Sequence, residues 1–186
     1  MNIRQRIHAL PSLQLGIGYT RIELDISWLL VGPIAMWAIA TIYVSVMQAD
    51  LPRLQTWVVA ALILGFIFLS LLVHLLAHLA VARALGCEIP DRIPVYLIAD
   101  SAQVWMAASG AGREVISAIA GPLGQGLLAA LAYALWNLQL GPFIDTITSF
   151  LAFFNLGVMA LNLTPAFPFD GGRLVRAAVW RLLGLP

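Results

Sequence analysis

Four apolar stretches, residues 26–47, 57–82, 115–136 and 146–163, dominate the chain. Crossing the roughly 30 Å hydrocarbon core of a bilayer takes about 20 residues of helix, and all four are close to or above that length. Within hydrocarbon the backbone must satisfy its own hydrogen bonds, so stretches of this kind are helices. The reading is an all-α membrane protein with about four transmembrane helices. Composition agrees: 61% of the 186 residues are hydrophobic and 10% charged, against about 25% charged in soluble domains. No linker, charge run or repeat divides residues 1–186, which implies a single transmembrane domain. A net charge of +1 offers no basic surface for nucleic acid. The one cysteine, Cys87, excludes an internal disulfide. Arg4, Arg6 and His8 are not followed by the apolar core and cleavage site of a secretion signal, so no cleaved leader is expected.

Residues 173–183 are amphipathic but too short to span, and Arg173, Arg176 and Arg181 suit a short interfacial C-terminal helix. All ten basic residues are arginines, and the spans sort nine of them to one side, Arg4, Arg6, Arg21, Arg83, Arg92, Arg113, Arg173, Arg176 and Arg181, leaving Arg53 on the other. Positive charge is retained on the cytoplasmic side, so both termini are expected there. Two regions read as extended. Leu13, Leu15, Ile17 and Tyr19 alternate around Gly16 and Gly18, and Ile22, Leu24 and Ile26 alternate with Arg21, Glu23 and Asp25, the pattern of a small membrane-associated β-hairpin. In the loop 88–109, runs 93–98 and 102–107 flank Asp100 and Ser101 and have the same character.

The chemistry lies in the second span. His74 and His78 are four residues apart, which puts two imidazoles on one helical face, one turn apart, where both can grip one metal. Ionisable groups inside a span are expensive, and residues 54–82 hold no other; the competing reading is a pair of packed polar side chains. The fourth span runs in the same direction as the second and passes into a segment containing Asn162, Pro165, Pro168, Asp170, Gly171, Gly172 and Arg173. There the prolines end the helix and the glycines permit a tight turn. Asp170 thereby arrives at the depth of the histidines. Two imidazoles, a carboxylate and an open fourth position make a catalytic zinc site; Asp170 could equally cap the helix that follows it.

With these residues the chain resembles the site-2 protease family of intramembrane zinc metalloproteases. In that family H-E-x-x-H lies on one transmembrane helix, and an aspartate in an N-x-x-P-x-x-P-x-D-G-G-like segment follows another. The second motif matches from Asn162 to Arg173, and Ala120-Gly121-Pro122 and the hairpin-like stretch before the first span are similar too. Gln125 stands where many members carry asparagine. The likeness covers nearly the whole chain. It implies that His74, His78 and Asp170 ligate zinc, and that Asn162 orients an unwound substrate or the ligand loop. It also implies that the partner in the bilayer is a transmembrane protein substrate or client helix, cut near the cytoplasmic face. Family members often carry a regulatory domain after the last helix, and a trimmed chain would fit that pattern.

The departure is Leu75, which occupies the position of the catalytic glutamate. That glutamate takes a proton from the attacking water and returns it to the leaving amine, a task needing an ionisable oxygen. Losing it typically forfeits about 10² to 10⁴ in rate, so peptidase activity is expected to be absent or very weak. Glu114 reads as complementing the N-terminal end of the third helix and Asp100 as a turn residue, so neither is a replacement. Leu75 fits a natural pseudoprotease or a deliberately altered protein. Three functions stay in play: an inactive or nearly inactive intramembrane protease, a zinc-containing module that binds or sequesters membrane clients, and a metal transporter. The proline-rich Asp170 loop argues against the last.

Overall fold

The structure is a computed structural model that describes residues 13–17, 20–24, 27–87, 92–95 and 110–184. Four helices are long and apolar enough to cross a membrane, Trp28–Met47, Arg53–Ala84, Ala111–Asn137 and Pro142–Asn162. The first begins as α1 (Ser27–Ala38), widens to a π-helical stretch at Ile39–Val44 and closes with an α-helical turn at Ser45–Met47. The others are α2 (Arg53–Ala84), α3 (Ala111–Asn137) and α4 (Pro142–Asn162), followed by the short α5 (Asp170–Leu183). Three of them extend beyond the apolar windows because helical hydrogen bonding continues past the last hydrophobic residue; α2, for example, starts at Arg53. A small sheet pairs β1 (Leu13–Ile17) antiparallel with β2 (Thr20–Leu24), and β2 parallel with β3 (Arg92–Val95), Ile22 opposite Ile93. Residues 96–98 and 102–107, read above as extended, lie outside the described residues.

The helices turn apolar side chains outward as well as inward. Leu29, Leu62, Leu69, Leu127, Leu131 and Phe153 are all exposed, far more apolar surface than a water-facing protein shows, as befits lipid-facing positions. Inward packing is carried by one stripe of α2: Val59, Ala60, Ile63, Ile67, Ser70, His74, Leu75, His78, Leu79 and Ala82 are all buried. They recur at three- and four-residue steps, one face of a helix. The N-terminal half of the stripe packs against Ile39, Ala40, Val44 and Ile147. The C-terminal half carries the histidines, so their burial follows from the apolar packing of the same helix.

α3 approaches α2 along small residues. A Cβ added at Gly124 would lie 3.4 Å from the Ala77 Cβ, and the buried Ser117, Ala118, Gly121, Ala129 and Ala132 share that side of α3. Small residues at a contact allow membrane helices to pack closely. Between the first span and α4 the apolar contact also carries hydrogen bonds: the Tyr43 hydroxyl lies 2.8 Å from the Ser149 hydroxyl and 3.2 Å from the Thr146 carbonyl oxygen.

Two expectations for the segment after α4 are corrected. Gly171 and Gly172 do not make a positive-φ turn; they let the start of α5 press against the exit loop. A Cβ at Gly171 would collide with the carbonyl oxygens of Leu163 and Thr164, and one at Gly172 would sit 2.8 Å from the Ala166 oxygen. Asp170 is the first residue of α5, not its cap; Phe169 holds the cap position and makes no side-chain cap bond. The Tyr43→Phe variant is expected to destabilise the helix bundle by about 0.6 kcal/mol and at most about 1.7 kcal/mol, the range for interhelical hydrogen bonds in membranes. Equilibrium unfolding in mixed detergent would measure it.

Candidate metal centre

Asp170, His74 and His78 converge although 92 residues separate His78 from Asp170. His78 Nε2 lies 3.1 Å from His74 Nε2 and 3.1 Å from Asp170 Oδ2, and His74 Nε2 lies 3.5 Å from the same oxygen. The three groups are buried and form a set that could hold a metal ion. A tetrahedral zinc with bonds of about 2.0–2.1 Å requires ligand-to-ligand separations of about 3.3 Å, and the observed triangle brackets that figure. The donor chemistry, two imidazoles and a carboxylate, also fits zinc.

His78 and Asp170 are held from behind. His78 Nδ1 lies 2.8 Å from the Ser117 carbonyl oxygen; donation there fixes the tautomer that leaves Nε2 bare for a metal. Gly121 makes room for the rings, because a Cβ there would collide with His78 Nε2 and lie 2.5 Å from Cε1 and Nε2 of His74. The following Pro122 sits inside α3. Burial alone would raise the pKa of Asp170, but hydrogen bonds and charge interactions with His74 and His78 outweigh it and hold the carboxyl at about 2. It is therefore ionised at neutral pH, as a metal ligand must be.

Behind Asp170 lies a buried ionic network. Arg173 Nη1 donates to Asp170 Oδ1 at 3.4 Å, its Nε to Glu114 Oε1 at 3.0 Å and its Nη2 to Ser117 Oγ at 3.0 Å. Arg176 Nη2 donates to the same Glu114 oxygen at 2.5 Å. This corrects the interfacial reading of Arg173, which is 1% exposed; its guanidinium points into the protein because two carboxylates compensate it there. Glu114 stands in the first turn of α3 as expected, and is also committed to two arginines. Ser117 was not singled out by sequence. The available signal was spacing: Glu114 and Ser117 are three apart at one end of α3, and Arg173 is three beyond Asp170, so each pair shares a face.

Of the other site residues, Leu75 is buried at 6% exposure directly after His74 on α2. Asn162 is the last residue of α4, and its Nδ2 donates to the Val158 carbonyl of its own helix at 3.1 Å. Gln125 Nε2 donates to the Ser70 carbonyl oxygen at 3.3 Å, one turn from His74 on α2.

Comparison with known proteins gives the family. Residues 139–186, which include Asn162, Asp170 and Arg173, match the model of peptidase family M50. Rip3 of Mycobacterium tuberculosis is 31% identical over 152 residues, which is 80% of this chain and 38% of that protein. A zinc metalloprotease of Methanocaldococcus jannaschii is 31% identical over 129 residues, 67% of this chain and 36% of that protein. The chain thus spans little more than a third of these curated relatives. The solved site-2 protease from Methanocaldococcus jannaschii superposes with a TM-score of 0.60 at 25% identity, covering 92% of this chain and 73% of that one. This chain is a multi-pass integral membrane protein of peptidase family M50, the site-2 protease family.

Proposed function

We propose that this chain is an intramembrane zinc centre of the site-2 protease type, with His74, His78 and Asp170 as ligands and with peptidase activity absent or very weak because Leu75 replaces the base. The observation that carries this reading is the buried triangle of 3.1, 3.1 and 3.5 Å between their donor atoms, adjacent in sequence to a side chain that cannot move a proton. Zinc held there supplies Lewis acidity towards a peptide carbonyl and towards water. The protein contributes the rest: Ser117 and Gly121 set the imidazoles, Arg173 braces Asp170, and Asn162 orients the ligand loop or an unwound client.

The client in this reading is a transmembrane helix entering from the bilayer. Its peptide carbonyls are already hydrogen-bonded, so a stretch must unwind before any cut, and an unwound stretch can add to a strand edge. What supports strand addition is the order β1-β2-β3, which puts β3 at an edge of the sheet among the described residues. The arginine bias, nine against one, supports a cytoplasmic position for both termini and for the metal centre. Client retention without cleavage is the second reading, and Leu75 is the observation that favours it.

The unaltered chain is expected to hold one zinc per molecule by elemental analysis, and the His74→Ala, His78→Ala double variant to hold none. Retention of zinc by the double variant would refute the ligand assignment. Photo-crosslinks from a bound client helix are expected at Arg92–Val95; crosslinks confined to the far ends of the helices would eliminate strand addition. Leu75→Glu is expected to raise cleavage of a tagged transmembrane substrate by about 10² to 10⁴ over the unaltered chain, with Leu75→Gln giving no such gain. Equal cleavage by the unaltered chain and Leu75→Glu would show that the base is not limiting. No cleavage by either, with zinc present, would leave client retention as the function.

A further inference from the structure

Arg173, Glu114 and Ser117 are fully or almost fully buried behind the ligands, where an unpaired charge would be costly. We infer that they act as a positioning frame that decides which oxygen of Asp170 faces the metal, so that Asp170 binds through Oδ2 alone. The inference rests on the zinc-site reading above.

The two carboxylate oxygens are in different surroundings. Oδ2 lies 3.1 Å and 3.5 Å from the imidazole Nε2 atoms, while Oδ1 accepts from Arg173 Nη1 at 3.4 Å. The guanidinium cannot follow Asp170 if the carboxylate turns, because its other two nitrogens are held by α3: Nε by Glu114 and Nη2 by Ser117, each at 3.0 Å. Three donors in a rigid plane, each committed to a different acceptor, fix an orientation that a single ammonium could not. Glu114 is anchored in turn by Arg176. Ser117 joins the two halves of the site, since its hydroxyl takes Arg173 while its carbonyl takes His78 Nδ1 at 2.8 Å. One turn of α3 therefore sets both an imidazole and, through Arg173, the carboxylate. With Oδ1 engaged, a metal meets three protein atoms and keeps a position open. Were Oδ1 free to turn inward, Asp170 could chelate through both oxygens and fill it.

The test uses the full chain in detergent, with Zn²⁺ affinity measured by competition with a chelator and Co²⁺ as a spectroscopic probe of geometry. Arg173→Gln is expected to lower Zn²⁺ affinity by about 10- to 100-fold, the usual cost of losing an outer partner of a ligand. It should also weaken the visible Co²⁺ bands as four-coordinate geometry gives way to five. Arg173→Lys should fall between, keeping charge but not the three-way hold. Glu114→Gln, which retains shape, should shift both readouts in the same direction to a smaller extent, and it decides the question if Arg173→Gln does not fold. Unchanged affinity and an unchanged Co²⁺ spectrum in the folded variant would overturn the inference while leaving the zinc site intact. Failure of the unaltered chain to bind Zn²⁺ would overturn both.

Discussion

A carboxylate in the interior of a membrane protein needs compensation close at hand, because neither lipid nor a dry helix contact can solvate it. Asp170 finds it on two sides, with imidazoles at 3.1 and 3.5 Å and a guanidinium at 3.4 Å. That compensation is what ties the chain's last helix to its interior. α5 is too short to span, yet its first four residues, Asp170 to Arg173, are all buried. They reach this depth because the exit from α4 is packed against glycines that no larger residue could replace. The guanidinium then passes the compensation on to Glu114 and Ser117, so α2, α3 and α5 are joined through a continuous set of charged and polar groups. Removing one member of such a set leaves another charge buried without its partner, which costs more than the missing contact alone suggests.

The apolar and polar halves of the bundle depend on each other through α2. Its buried stripe runs without interruption from Val59 to Ala82, and the packing of Val59, Ile63 and Ile67 against the first span and Ile147 fixes the rotation of the whole helix. A rotation of α2 by one residue, about 100°, would carry His74 and His78 off the α3 side. The candidate metal centre is therefore aimed by hydrophobic contacts lying about two to four helical turns away from it. The small residues of α3 complete this arrangement, since the rings occupy space that exists only because residue 121 is glycine.

Much of this was legible in the sequence, for identifiable reasons. Span length and the i, i+4 histidines are local signals, and the Asn162-to-Arg173 segment is long enough to be distinctive, so the helices and the three candidate ligands could be named from them. What sequence could not supply was pairing across distance. Arg173 reads as an interfacial arginine by composition, and only the fold brings it within 3.0 Å of Glu114, 59 residues away. Gly171 and Gly172 read as turn residues because flexibility is the usual reason for glycine, whereas here the reason is the approach of the Leu163 and Thr164 carbonyls. Asp170 admitted two readings until its oxygens were seen to be engaged by the histidines and Arg173 rather than by the helix start.

In the proposed reading, Leu75 separates the metal-holding part of the site from the proton-moving part. The metal-binding groups are set by helix rotation, by close approach at Gly121 and by the Arg173 network, all of which are shared with the packing of the bundle. The proton-moving role would rest on the one side chain at position 75, where packing asks only for bulk. A glutamate at position 75 would add an ionisable group to a nearly buried position, a cost accepted for function and not for stability. Leucine removes that cost while preserving bulk and helix propensity. On the proposed reading, the three candidate ligands hold their geometry with leucine at position 75 because the packing of the bundle, and not a proton-moving side chain, sets them.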